Sequence, residues 1–250
     1  MKLKSFLYLI FVSLFGVNGF GQAADAARPP AGEKTAQQVI DRYIEAIGGR
    51  KALEAVNSRS TKGTVEIVPM GMTGTFETVA APETRSVTKL NLAGIGEMLE
   101  GSDGTNAWAI NPIQGSRERA GKELEQYRLI NYFRRELDLN KLYDKIELKG
   151  TEKVGERTAA VIVMTKTGLP PETAYFDQAT GLLIRSDSTI LSPEGQSAMT
   201  TYYEDARKVD GISVPFLIRT VTPQFEIRLT VNEVKHNIVL TDNTFVMPKT

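Results

Sequence analysis

"FEIRLTVNEVKHN", residues 225 to 237, sets apolar side chains at Phe225, Ile227, Leu229 and Val231 with polar ones between them, and ends beside His236, the one histidine of the chain. Such alternation is the pattern of a strand with one buried face, because successive side chains point to opposite sides of a sheet. The same reading extends backwards. DKIELKGTEKV, RTAAVIVMTK, ETAYFD, LLIRSDSTI, SAMTTYYEDARKV and ISVPFLIRTV precede it, with QATG at 178–181 and VDG at 209–211 as turns. An earlier run, TKGTVEIV, GTFETVA, TRSVTKLNL, IGEMLEGSD and NAWAINP, carries the same Gly, Pro or Asp punctuation, the mark of an antiparallel meander. About a dozen strands result. Nothing in their order is βαβ, so the chain reads as mainly β, in the α+β class, and not as a parallel α/β fold.

Helices interrupt this pattern at two places. Thr35 with Gln38 fits a capping box, and Val39, Tyr43, Ile44 and Ile47 recur at helical spacing until Gly48-Gly49, after which a second short helix spans about Arg50 to Val56. Between the two runs of strands, GKELEQYRLINYFRRELDL, from Gly121 to about Leu139, places Leu124, Tyr127, Ile130, Phe133 and Leu137 on one side of a helix. Lys122, Glu123, Arg128, Arg134 and Arg135 fall largely on the others. The plain role of such a helix is to cover one face of the sheet; the sharper one is a lid over a cavity.

The chain of 250 residues carries 30 basic and 30 acidic side chains, 41% apolar residues and no cysteine, so no long-range field recruits nucleic acid. Its first residues, MKLKSFLYLIFVSLFGVNGFGQA, combine Lys2 and Lys4, an apolar run from Phe6 to Val17, and small residues at Gly21 and Ala23. The segment reads as a cleaved signal peptide, residues 1–23, and not as a membrane anchor, since the run is shorter than the roughly 20 residues of a spanning helix. ADAARPPAGEK, residues 24–34, reads as a flexible leader, and residues 35–250 as one domain, exported to the periplasm. Without cysteine there is neither a disulfide nor an acylated first mature residue, so the domain rests on its core.

Catalytic chemistry finds little support. His236 sits beside Lys235 and Asn237 at a strand end, and no G-x-S-x-G elbow accompanies it. One histidine and no thiol leave no zinc set, and Asp103 in GSDGTN reads as a hairpin turn, not a calcium loop. No phosphate loop occurs. Glu66, Glu77, Glu97, Asp177, Asp187, Glu204 and Asp205 lie on or beside strands, and a pair of them converging would suit glycoside hydrolysis. The expectation is a protein without catalytic residues, metal or cofactor.

The apolar face is the informative feature. Val65 and Ile67, Met72 and Phe76, Trp108 and Ile110, Ile162 and Met164, and Phe225 to Val231 each lie two or four residues apart along a strand, which puts each set on a common face. A dozen antiparallel strands with such a face close into a barrel, fold into a sandwich, or curl around helices. Methionines at 70, 72, 98, 164 and 199 suit either an adaptable ligand wall or a dry core.

"YIEAIGGRKALEAVNSRSTKGT" at 43–64, "DGTNAWAINPIQG" at 103–115, "AYFDQATGLLIRSD" at 174–187 and "YYEDARKVDGISVPFLI" at 202–218 resemble proteins labelled outer-membrane lipoprotein-sorting proteins, and the order of elements resembles the LolA/LolB-like superfamily of periplasmic lipid carriers. The resemblance implies a strongly curved, half-open antiparallel sheet or barrel of about 11–12 strands, with helices covering its concave face and an apolar cavity for acyl chains. It implies a non-catalytic, monomeric carrier of lipoproteins, lipids or other hydrophobic ligands, working between inner- and outer-membrane transport components. The cavity wall is then expected from Val65, Ile67, Met72, Phe76, Met98, Trp108, Ile110, Met164, Phe225, Ile227 and Leu229, and the lid from Tyr127, Ile130, Phe133 and Leu137. Arg59, Arg85, Arg117 and Arg119 are eligible by type as a basic latch for that lid. The rival reading is a sensor or assembly module that binds a partner protein or peptide along the curved sheet.

Overall fold

The computed structural model describes residues 34–241 and 243–248; the segment read as a signal peptide and nearly all of that read as a leader lie outside them. Thr35 accepts from Gln38 N while the Gln38 side chain accepts from Thr35 N, so the capping box starts helix α1, Ala36–Ala46. Short helix α2, Arg50–Glu54, follows after Gly48, whose φ of 130° lets the chain press onto the Gly211 carbonyl, which a Cβ would meet at 2.7 Å.

Thirteen strands then form one antiparallel sheet. The outgoing meander is β1 (Arg59–Ile67), β2 (Met72–Ala81), β3 (Arg85–Leu92), β4 (Gly96–Asp103), β5 (Ala107–Asn111) and β6 (Gly115–Glu118). Helices α3 (Gly121–Ile130) and α4 (Arg135–Leu142) come next. The returning meander is β7 (Lys145–Val154), β8 (Arg157–Thr165), β9 (Glu172–Asp177), β10 (Leu183–Ser192), β11 (Gly195–Val209), β12 (Ile212–Val221) and β13 (Glu226–His236). The order across the sheet is β6-β5-β4-β3-β2-β1-β13-β12-β11-β10-β9-β8-β7. The two meanders are joined in the middle by β1 and β13, and β6 and β7 remain as edges. The sheet is curved and open, not a closed barrel.

The one strand that the sequence pattern misses is β6, whose residues GSRE are all polar and mostly exposed; a four-residue edge strand has no buried face to impose alternation. The long middle helix is also two helices. Asn131 caps α3, with its side-chain amide donating to Tyr127 O at 2.9 Å, and Phe133 N turns away to donate to Glu83 O at 2.7 Å.

Register separates the two faces. Val65, Ile67, Phe76, Leu90, Met98, Ile218, Phe225, Ile227 and Leu229 are 0–3% exposed and pack together on the concave side. A second concave cluster joins Val39, Ile40, Tyr43 and Ile44 of α1 to Ala160, Ile162, Met164, Ala174 and Phe176 of β8 and β9. The convex face carries a cross-strand row, Tyr175, Arg185, Tyr202, Arg219, Arg228 and Glu66, in which Arg185 lies 4.6 Å over Tyr175 and Arg219 lies 4.2 Å over Tyr202.

Candidate ligand-binding site

Eight of the residues expected in the wall meet on the concave face. Val65, Ile67, Phe76, Met98, Phe225, Ile227 and Leu229 form one cluster, with Met72 packed against it. Met164 is also concave but belongs to the cluster under α1. Trp108 and Ile110 stand on the other face. Met98 is paired with Leu90 and points inward; Glu100, two residues on, pairs with Ala109. Ala109 is therefore inward, and its neighbours Trp108 and Ile110 point outward. Trp108 is buried there, its ring where a Cβ on Gly101 would stand.

The lid residues divide in the same way. Tyr127 and Phe133 are buried, and Phe133 and Ile130 pack on the first cluster. Leu137 is half-buried against the second. The break at 131–134 resets the helical phase of α4, so that Glu136 and Leu139 become its buried residues.

The fastenings of these helices are polar. On α3, the Gln126 amide donates to Thr189 O at 2.8 Å and its carbonyl accepts from Leu191 N at 2.8 Å. The strand geometry explains why those two groups are available. Pairing of β10 with β9 ends at Asp187, whereas pairing with β11 continues to Ser192, so Thr189 and Leu191 face no strand on that side. The Tyr127 hydroxyl lies 3.3 Å from Ser86 Oγ on β3. Arg119, at the joint of β6 and α3, pairs with Glu100 of β4 and with Glu123 of α3, and lies 4.7 Å over the Tyr127 ring. Arg119 and Glu100 are each 1% exposed. Burial pushes the Glu100 carboxyl up to about 7, with Arg119 pulling back.

Helix α4 is held by a second set. Arg135 pairs with Glu172 of β9 at 2.5 Å and also donates to the Tyr143 hydroxyl, which donates to Glu172 at 2.9 Å. Arg134 donates to Glu54 O, Val56 O and Asn57 Oδ1. Arg59 lies 5.6 Å beneath the Phe133 ring. Burial raises the Glu136 carboxyl and lowers the Arg59 guanidinium, and the opposite charge of each draws the other back. Of the four arginines eligible as a latch, Arg59 and Arg119 are the two that stack on ring residues of the cover. Arg117 pairs with Glu123 of α3 from a more exposed position, and Arg85 lies over Phe245 near the C-terminus. The apolar periodicity carries no signal for the buried Gln126 and Glu136, and the half-buried Arg135 falls by spacing on the outer side of an amphipathic helix.

A small cleft of about 20 Å³, partly open to solvent, lies between α2, the start of α4 and the strand ends. Leu53, Val56, Phe133 and Ile212 give it an apolar wall, and Arg59, Arg134, Glu136 and His236 a polar one. Val56, Phe133 and Ile212 also belong to the concave cluster, so the cleft abuts the apolar interior. His236 ends β13 with its side chain 3% exposed and Nδ1 3.1 Å from Asp210 Oδ2. Burial lowers its pKa, with Asp210 opposing.

The carboxylates that could have formed a hydrolytic pair are separately engaged. Glu66, Glu77 and Glu97 face Arg228, Lys62 and Lys89; Glu204 and Asp205 face Arg219 and Arg207. Asp187 binds Arg185, Tyr175 and Thr200, and Asp177 holds its own turn through Thr180. Asp103 likewise accepts from Thr105 N and Asn106 N, as a hairpin turn requires.

No family model and no curated protein sequence matches the chain. Solved structures do match. A DUF1329 family protein from Desulfovibrio piger aligns with a TM-score of 0.58 at 14% identity, over 84% of this chain and 96% of that one. A LolA superfamily protein from Nitrosomonas europaea aligns with a TM-score of 0.57 at 12% identity, over 86% and 99%. A domain named for outer-membrane lipoprotein sorting, from Vibrio parahaemolyticus, aligns with a TM-score of 0.57 at 11% identity, over 84% and 97%. At such identities the likeness concerns the backbone, and it spans nearly the whole of each neighbour: the chain has the LolA-like fold.

Proposed function

We propose that the protein is a periplasmic, monomeric carrier that shelters a lipidated or otherwise hydrophobic ligand against the concave face of its sheet and does no bond chemistry. The observation that carries this reading is the manner in which the face is covered. A helix that only completes a core buries Leu and Ile along its length, whereas the buried residues of α3 are Gln126 and Tyr127 and those of α4 are Glu136 and Leu139. The cover rests on the apolar floor through Ile130, Phe133 and Leu137 and is fastened at discrete polar points, so in this reading it swings away without unpairing any strand. Val65, Ile67, Met72, Phe76, Met98, Phe225, Ile227 and Leu229 form the floor in this reading, and the cleft beside Phe133 and Ile212 is the way in. Each CH₂ of an acyl chain moved onto the floor gains about 0.8 kcal/mol. The name of the lipoprotein-sorting neighbour agrees with this class of cargo, as does the export signal read in residues 1–23.

Partner binding by strand addition has less support. The β7 edge carries Lys145, Lys149 and Lys153 and a bulge between Leu148 and Gly150, and β6 is four residues long; these are the devices by which sheets resist edge pairing. The carrier reading is tested by titrating the mature protein with an acyl-chain fluorophore. Saturation near one site per chain, strengthened when Gln126 is replaced by Ala, supports it. Absence of saturable binding in both proteins refutes it.

A further inference from the structure

The hairpin tips at the two ends of the sheet differ in chemistry. At the end where β1 begins, every turn of the meanders holds a charge: Glu83 and Arg85, Asp103, Glu156 and Arg157, Asp177, and Asp210. At the opposite end, four tips that are neighbours across the sheet hold none. They are the tips of β12–β13, β1–β2, β3–β4 and β5–β6, within the uncharged stretches 220–225, 67–76, 90–96 and 104–116. The β8–β9 and β10–β11 turns at that end carry Lys166 and Glu194, so the uncharged rim is confined to one side.

Apolar side chains project from this rim. Met70 is 46% exposed and Ile113 38%, the two large exposed apolar residues that lie on hairpins among the described residues. Gly71, Gly94 and Gly115 turn the tips with φ of 60°, 80° and 76°, and no atom lies within 4 Å of the Cβ position at any of them. The β1–β2 and β3–β4 tips project outward at these glycines, whereas on the β5–β6 tip the Gln114 amide donates to Glu194 of the β10–β11 turn at 3.5 Å.

Their backbones are also closed on themselves. Gly71 N donates to Val68 O, Ala93 N to Thr73 O and Ile95 N to Leu92 O. Asn111 Oδ1 accepts from both Ile113 N and Gln114 N, and Thr222 Oγ1 from both Gln224 N and Phe225 N. A peptide partner adding along a strand needs a free strand edge with a row of unpaired main-chain groups, and a charged partner needs opposite charge; a rim of uncharged turns offers neither. A lipid interface asks for the reverse: apolar side chains, no charge, and main-chain groups already satisfied.

We propose that this rim is the surface with which the protein touches an uncharged lipid–water interface, with Met70 and Ile113 as the inserting side chains. The contact is shallow and reversible, since two side chains on separate tips bury little area. It is independent of the carrier reading: vesicle contact by the tips needs no cargo, and cargo can be held by a protein that never touches a bilayer.

The test is co-sedimentation of the mature protein with sucrose-loaded phosphatidylcholine vesicles, at low salt and at about 0.5 M salt, where charge attractions are screened beyond a few ångströms. The wild type is expected to sediment at both salts. Met70→Asp/Ile113→Asp is expected to lower the partition coefficient by roughly tenfold or more. Met70→Ser/Ile113→Ser should lower it less, and Glu83→Gln/Arg85→Gln at the other end should leave it unchanged. Both rim residues are exposed, so unchanged thermal unfolding verifies that the variants are folded. A wild type that stays in the supernatant, a rim variant that sediments like wild type, or binding that needs anionic lipid and vanishes with salt would each overturn the proposal. So would a dimer that the rim variant dissolves, in place of vesicle binding, because the rim would then meet a second copy.

Discussion

Gln126 on α3 completes the hydrogen bonding of β10 at Leu191: its side-chain carbonyl accepts from Leu191 N at 2.8 Å while its amide donates to Thr189 O. One carboxamide does here what a neighbouring strand does elsewhere, and it ties the segment after β6 to the far half of the sheet. Gln126→Ala leaves a half-buried donor and acceptor without this partner and is expected to cost about 1–2 kcal/mol. Faster amide exchange at Leu191, with core amides such as Ile227 unchanged, would place the loss at the cover. Equal acceleration everywhere would mean that α3 is part of the global core.

Arg135 and Glu172 fasten the second helix in the same manner. Replacing Glu172 with Ala strands the arginine in a mostly buried site, and a loss of about 2–4 kcal/mol in urea unfolding is expected. Arg135→Ala/Glu172→Ala should lose less than the sum of the single changes, because the stranded charge is then gone. Strict additivity would show that the pair is not coupled.

Phe133 ties the cover to the apolar floor. Phe133→Ala is expected to destabilise the fold by about 3 kcal/mol and to raise uptake of an apolar fluorophore, because the removed ring widens the cleft bounded by Leu53, Val56 and Ile212. Reduced uptake would place the ligand against Phe133 itself, not beneath it.

Glu100 sets a pH dependence. Its carboxyl titrates near 4.5 in the unfolded chain and near 7 in the fold, where burial raises it and Arg119 and Arg117 pull it down against Glu123. Its stabilising contribution is full below the unfolded value, where both states are protonated, and is lost as pH rises through about 7, where the fold must hold a buried charge. Glu100→Gln cannot ionise, so the decline in its unfolding free energy from pH 5 to pH 8 should be shallower than that of the wild type. Parallel curves would show that Glu100 titrates normally.

Much of this architecture is legible in the residues. Twelve of thirteen strands announce themselves by alternation, and Thr35 with Gln38 marks the start of α1. What local pattern does not carry is phase and distance. The pairing of β1 with β13 joins residues far apart in sequence, as Val65 with Leu229, and no periodicity within either strand selects the other. Trp108 and Ile110 share a face, as their spacing requires, but which face depends on the register of β4 against β5. Glu136 and Gln126 are polar residues at buried positions, and a reading built on apolar spacing assigns them to solvent.

The central claim is that the concave face holds a hydrophobic guest. Native mass spectrometry of the mature protein, purified from the periplasm without detergent, tests it most directly. The account predicts a complex of one chain with a lipid or acylated peptide. A protein that carries no guest, and that takes none up from added lipid, would contradict it and leave the apolar face as core alone.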